Sequence, residues 1–249
     1  MTSFSRRTLL QATAAIAASP VLMQAKAAYA AAAYHFVRIE GLAEQAVGEI
    51  VLKELYRRAD MDITVTAMPG RRALQEAASG NKDGETLRVY ALGENKPSLI
   101  RLETPLSSLQ TVAFSKKGAD ISLSSKEDLA NYRNIMVKGV LHTEAITKGI
   151  NGVQSATDAS SMFKMVKVGR ADLALTSGFD GLVWVERLGY GNDIEVVNPV
   201  LNDQPLYHYV HESKRGVLDV LEPLAASLEA SGELNEIRSS AEQAFLSEL

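Results

Sequence analysis

From residue 34 onward the apolar positions switch repeatedly between a period of two and a period near 3.6. "YHFVRIEG" (34–41) reads as a strand ending at Glu40-Gly41, and the residues after it place Ala43, Val47, Ile50, Val51 and Leu55 on one helical face. "DITVTAMP" reads as a second strand and "RRALQEAASG" as a second helix closed by Gly80. After turn residues Gly80, Asn81, Asp83 and Gly84, "ETLRVY" is a third strand, with Leu87 and Val89 alternating against Thr86, Arg88 and Tyr90. This β-α-β-α-β run predicts parallel strands joined by helical crossovers.

"PSLIRLETPLSSLQTVAFSKK" then reads as extended chain leading into a second α/β unit, between about residues 115 and 200. Ser124 or Ser125 caps a short helix "KEDLANY", "RNIMVKG" is a strand, and Thr143 begins or caps a helix over Glu144 to Lys148. Asp158 caps "ASSMFKMVKVG", with Met162 and Val166 facing inward and Met165 an open case. "ADLALTS" is a strand and "GLVWVERLG" a helix; "PLYHYVHE" is a returning strand, and the chain finishes in one long helical tail containing "VLDVLEPLAASLEASGELNEI". The expected division is residues 31–113 with 203–249 in a first lobe, and 114–202 inserted as a second. Two crossing strands would join the lobes. Ligands of open α/β sheets bind at the carboxyl ends of strands, so the cleft between the lobes is the default site.

Residues 1–30 stand apart from this pattern. They carry the pair Arg6-Arg7, an Ala/Leu-rich apolar segment, and Ala-Lys-Ala and Ala-Tyr-Ala as cleavage options. The string from Ser5 to Gln11 resembles a twin-arginine export signal; an ordinary secretory signal is the other route, and the apolar run is too interrupted for a membrane anchor. Export of a soluble protein to the periplasm is therefore expected. The full chain has 26 Lys and Arg against 30 Asp and Glu; loss of Arg6, Arg7 and Lys26 leaves 23, a net charge of −7. Such a balance argues against nucleic acid as a partner. Without cysteine there is no disulfide, no thiolate metal site and no lipid-bearing thiol.

Several segments, in order, are similar to the extracytoplasmic solute-binding proteins of the amino-acid-binding type (family 3). "LQEAASGNKD" (74–83) resembles the family's helix and SGxxD turn, and "LETPL" (102–106) its F-S-x-P-Y segment. "SSKEDLANYRNIMVKG" resembles the family's entry into the second lobe, "VGRADLALT" (168–176) its G-R-x-D-A strand, and "LEASGEL" (228–234) its C-terminal helix. The resemblance covers the whole chain after the leader. It implies an α/β type II periplasmic-binding-protein fold, two lobes that close on a small ligand by hinge bending, and no cofactor. It also implies a monomer that serves an ABC-type importer or a membrane sensor.

The family's ligand-binding positions carry over unevenly. Its carboxylate Arg falls on Lys96, and its Gly-Thr on Gly139-Val140 with Thr143 a little later. Its ammonium-binding Asp falls near Ser177, with Asp180 the nearest acid. A serine cannot supply the charge that fixes an ammonium, so an ordinary α-amino acid does not fit. "MPGRRAL" resembles a P-W-x-R-A variant with Gly70 for the Trp and Arg72 for the Arg, and Arg88 and Arg101 add further guanidinium groups. Arg forks bind carboxylates in bidentate fashion, which points to a small acidic ligand without an amine.

Each candidate has a plainer reading beside it. Arg88 either ends its strand at the cleft to receive an anion or pairs internally with Glu85, Glu40 or Glu103, because an unpaired buried charge is costly. Arg72 sits at a helix start, where cations are disfavoured, and also reads as a solvated charge. Arg101 alternates with Leu99 and points to solvent on one reading; Lys96 lies in a Gly/Asn/Pro loop. Gly139 to Thr143 present helix-start amides or merely a cap, and His142 has no second histidine at metal-ligand spacing. Tyr207, with His208 and Tyr209, lies near the return crossing, lining the cleft or the core. Two other classes remain: a dehydratase-like periplasmic enzyme using an acid or base among Glu40, Glu103, His142 and Asp180, and an interaction module with a decayed cleft.

Overall fold

The computed structural model describes residues 33–249; the export signal expected at 1–30 lies outside them. The described residues form a nine-stranded sheet in the order β2-β1-β3-β9-β5-β8-β6-β7, with β4 attached to β9. β1 (Tyr34–Ile39), β2 (Ile63–Met68) and β3 (Gly84–Val89) are parallel and are linked through α1 (Ala43–Arg58) and α2 (Gly70–Ala78). The first predicted unit is thus present strand for strand.

A short helix α3 (Ala91–Asn95) and strand β4 (Leu99–Arg101) follow, and then β5 (Ser107–Lys116) leaves this unit. The second unit holds β6 (Asn134–Val137), α4 (Leu141–Ile146), β7 (Gln154–Ala156), α5 (Ala159–Lys167), β8 (Leu173–Ser177) and α6 (Gly178–Arg187). β9 (Ile194–His211) returns, and α7 (Leu218–Ser231) and α8 (Glu233–Ser247) complete the first unit. β5 and β9 are the crossing strands. They pair with each other antiparallel from Ser107↔Leu206 to Lys116↔Ile194, with a register shift between Thr111 and Ala113.

Each lobe buries apolar side chains on both faces of its part of the sheet, as the period of two requires. In the first lobe Phe36, Leu206 and Val210 face α1, α7 and α8, and Val37 and Tyr209 face α2. In the second, Val112 and Phe114 face α5 and α6 while Ala113 packs with Leu129 and Leu175 on the other side. Among the described residues no helix is long and apolar enough to cross a membrane.

Several expectations need correction. Ile50 is 40% exposed, because the buried face of α1 is rotated towards Gly48, Leu52 and Tyr56. Gly48 permits this: a Cβ there would meet Leu87 Cδ1 at 2.2 Å, so helix and sheet approach where a side chain is missing. Thr143 does not cap its helix. α4 begins two residues earlier at Leu141, and the buried Thr143 hydroxyl donates to the Val140 carbonyl at 2.8 Å. The C-terminal tail is two helices, since Gly232 adopts φ +81° and ends α7 in the left-handed conformation. Finally, the segment around Lys96 is helical over Ala91–Asn95, although Lys96 itself is exposed at the helix end.

Candidate functional site

A cavity of about 550 Å³ lies where the carboxyl ends of β1, β3 and β6 meet the starts of α1, α4 and α6. Its walls are largely apolar: Ile39, Leu87 and Val89 from the first lobe face Val137, Val140 and Trp184 from the second. Its charged and titratable members are Arg88, Glu44, Asp180 and His142.

Arg88 reaches this position because a register irregularity between Glu85 and Arg88 disturbs the pairing of β3 with β9. Its Nη1 donates to Glu85 Oε2 at 2.9 Å. Glu85 is 1% exposed and its Oε1 is buried without a partner. Burial raises the Glu85 carboxyl above its ordinary value, and the adjacent Arg88 opposes that shift. The internal pair and the cleft position therefore coexist in Arg88. Nη2 and Nε of Arg88 have no hydrogen-bond partner among the described residues.

The floor of the cavity is a contact between the lobes. α1 follows Gly41-Leu42, and Leu42 offers no side chain to cap the helix. The cap comes from the other lobe: Asp180 Oδ1 accepts from the Ala43 amide at 2.8 Å. In return, Glu44 in the first turn of α1 reaches the start of α6, where the Ser177 hydroxyl donates to Glu44 Oε1, as does the Asp180 amide at 3.4 Å. Ser177 also caps α6 itself by accepting from the Asp180 amide at 3.2 Å. Each helix start is thus met by a carboxyl from the other lobe, where negative charge is favoured. Burial, with the neighbouring Asp180 carboxylate adding to it, pushes the Glu44 carboxyl up to about 8.

His142 Nδ1 is hydrogen-bonded to Thr111 Oγ1 on crossing strand β5 at 2.8 Å, and burial lowers its basicity. Gly139 takes φ +86° and its amide donates to Glu144 Oε1 at 2.8 Å, so that amide is already engaged.

Of the ten residues singled out from the sequence, Arg88, Gly139, His142 and Asp180 line this cavity. Ser177 and Thr143 are buried just behind it. The other four stand elsewhere. Arg72 is exposed on α2, 4.0 Å from Glu76, and Lys96 is exposed at the end of α3. The Arg101 guanidinium lies 3.7 Å from the ring centroid of Tyr90 and 4.9 Å from that of Tyr207, and it donates to Glu103 at 2.6 Å. Sequence reasoning missed Glu44 and Gln45. Gln45 is buried, donating to the Leu87 carbonyl at 2.8 Å and accepting from the Ile39 amide at 3.3 Å, so it ties α1 to two strand ends. The missing cap before α1 was a signal that its first amide finds an acceptor elsewhere, which Asp180 supplies; nothing local to Glu44 marked its reach to the start of α6.

No family model matches the chain. An uncharacterized protein of Shewanella oneidensis is 25% identical over 168 residues, which are 65% of this chain and 61% of that protein, less than two thirds of its length. Among solved structures, the periplasmic VFT2 domain of Bordetella pertussis BvgS has a TM-score of 0.65 at 15% identity, covering 89% of this chain and 97% of that one. The amino acid ABC transporter substrate-binding protein AbpA of Streptococcus pneumoniae, solved bound to L-arginine, gives 0.60 at 15% identity over 90% and 99%. A histidine kinase sensor domain with similarity to periplasmic binding proteins gives 0.60 at 13% identity over 83% and 95%. At such identities the likeness is one of fold. The chain has the type II periplasmic-binding-protein fold, with two α/β lobes, two crossing strands and a cleft between the lobes.

Proposed function

We propose that this protein is a non-catalytic, extracytoplasmic solute-binding protein that captures a small carboxylate with an apolar body. Closure of the lobes would bury the ligand, and a membrane importer of the ABC type or a membrane sensor would read the closed form. The carrying observation is the apolar cavity of about 550 Å³ with Arg88 as the one Lys or Arg in its lining among the described residues. That volume is in the range of small-molecule sites, roughly 300–1,000 Å³. With Nη1 held by Glu85, the guanidinium is fixed in place and presents its remaining donors to an anion in a water-poor setting, where a charge-assisted pair gains strength.

The acids in the cavity support a ligand without an amine. Asp180 already accepts from the Ala43 amide, and Glu44 is held near neutrality by burial and by Asp180. Neither is a free carboxylate waiting for an ammonium group. Neighbours of the fold include both a transporter's substrate-binding protein and a kinase sensor domain, and capture by closure serves either role.

The test is a thermal-shift and calorimetric panel of aliphatic and aromatic monocarboxylates, their primary amides, and the matching α-amino acids. Carboxylates should raise the melting temperature, the amides and amino acids should not, and Arg88→Met should lose the response while remaining folded by circular dichroism. Equal binding of amides and acids, capture of amino acids alone, or full binding by the Arg88 variant would overturn the reading.

A further inference from the structure

The contact at the cavity floor is built to do more than line a pocket. α1 and α6 belong to different lobes, and each lends a carboxyl-bearing residue to the other's amino-terminal end through Ala43 with Asp180, and Ser177 with Glu44. Opening the cleft must separate all of these partners at once. The Ala43 amide would lose its acceptor, and the start of α1 would lose its cap, since Leu42 provides none.

The same contact sets the Glu44 carboxyl 3.4 Å from the Asp180 amide while the Asp180 carboxyl caps the residue before Glu44, so the two acids are neighbours that act on each other. Two neighbouring carboxylates repel each other, whereas one carboxylic acid donating to one carboxylate makes a strong hydrogen bond. Asp180 is the member suited to carry the charge, because it accepts from the amide at the start of α1. Glu44 is the member suited to keep the proton.

We propose that Glu44 and Asp180 form a latch holding the two lobes together through one shared proton, and that the lobes separate as that proton is lost. The raised titration of Glu44, to about 8, agrees with this assignment. Other titratable groups face the pair from each surrounding element. His142 on α4 and Arg88 on β3 share the cavity, and Arg238 and Glu242 on α8 line a second pocket behind Glu44. Arg38 and Arg187 share a smaller pocket with Asp180. His142 is a weaker base than usual because burial opposes its charge, so on the acid side, below about 6.5, it favours the open form and works against the latch; its shift is smaller than that of Glu44, which therefore sets the net direction.

In the closed state Glu44 binds its proton more tightly than an ordinary glutamate, and in the open state it does not. The closed form is therefore favoured in acid, is progressively weakened as pH rises from about 5, and changes no further above about 8. Across that interval Glu44 alone would raise the ratio of open to closed molecules on the order of a few hundredfold, and His142 reduces that change at the acid end. The latch needs no ligand, so it stands or falls separately from the binding reading above.

The test follows lobe separation in the ligand-free full chain, by small-angle X-ray scattering and by energy transfer between dyes on exposed positions of each lobe. Measurements run from about pH 5 to about pH 9.5. The parent protein should expand with rising pH and level off above about 8. Glu44→Gln should stay closed throughout, because its amide still donates to Asp180 and cannot ionise. Glu44→Ala should be open at every pH. A parent protein of constant dimensions over this range would overturn the latch without any variant, and so would a Glu44→Gln curve superimposable on that of the parent.

Discussion

His208 is the buried base from which the acid sensitivity of the first lobe can be worked out. It is fully buried on β9, with its ring edge-on to Phe36 at 4.7 Å between centroids. Nδ1 lies 2.9 Å from the Glu85 carbonyl oxygen, and Nε2 lies 3.1 Å from the Tyr56 hydroxyl. A carbonyl only accepts, so Nδ1 carries the hydrogen and Nε2 accepts from Tyr56; the neutral ring satisfies both contacts. Protonation would add a charge where no acid among the described residues pairs with His208, and burial accordingly lowers its titration from 6.5 to about 4. The unfolded chain takes up this proton below about 6.5 and the folded chain does not. Stability is therefore fully present at neutral pH, falls as pH drops from 6.5 to about 4, and loses nothing more from this group below that. The cost is about 2 kcal/mol by pH 5 and about 3 kcal/mol by pH 4. Glu44 works in the opposite sense, with its contribution greatest in acid, so the parent's profile alone mixes the two. The assay is urea unfolding at a series of pH values for the parent and for His208→Gln, with the difference between the two curves as the readout. That difference should narrow by about 2 kcal/mol between about pH 7.5 and pH 5. Parallel curves would refute a neutral, desolvated His208.

Two further substitutions probe the way the sequence builds the lobes. Gly48→Ala should destabilise the first lobe by about 1–3 kcal/mol in denaturant unfolding, because the new methyl meets the buried Leu87 side chain at 2.2 Å. Asp158→Ala should lower the melting temperature, since the Asp158 carboxylate accepts from the Ser161 amide at 2.7 Å and caps α5.

How much of this could be read beforehand depended on whether the information was local. β1, β2 and β3 are short apolar-rich runs separated by segments of helical period, and Asp158 is followed by an inward Met162 and Val166, so element and cap were both legible. Ile50 was misplaced because periodicity gives the width of an apolar stripe but not its rotation, and that rotation was set by a distant fact, the approach of Leu87 to Gly48. β9 was read as eight residues, not 18, because Pro199, Asn202, Asp203 and Pro205 carry turn chemistry within it. In the site, Arg88 was legible as a cation on an inner strand, whereas the partners of Asp180 were not: Ala43 and Glu44 are more than 130 residues away and meet it only when the lobes come together.

The long return strand has a consequence for the order in which the molecule can be finished. β9 lies between β3 and β5, and α7 and α8 contribute Leu221, Ala225, Leu228 and Leu234 to the first-lobe core. A chain emerging from its amino end delivers every residue of the inserted lobe while the outer lobe still lacks its inner strand and two covering helices. The earliest residues must therefore wait, with Phe36, Leu52 and Tyr56 uncovered, for the latest ones to arrive. Cutting the chain short before Leu218 would unroof that lobe instead of trimming an appendage, and the inserted lobe would be the part left standing.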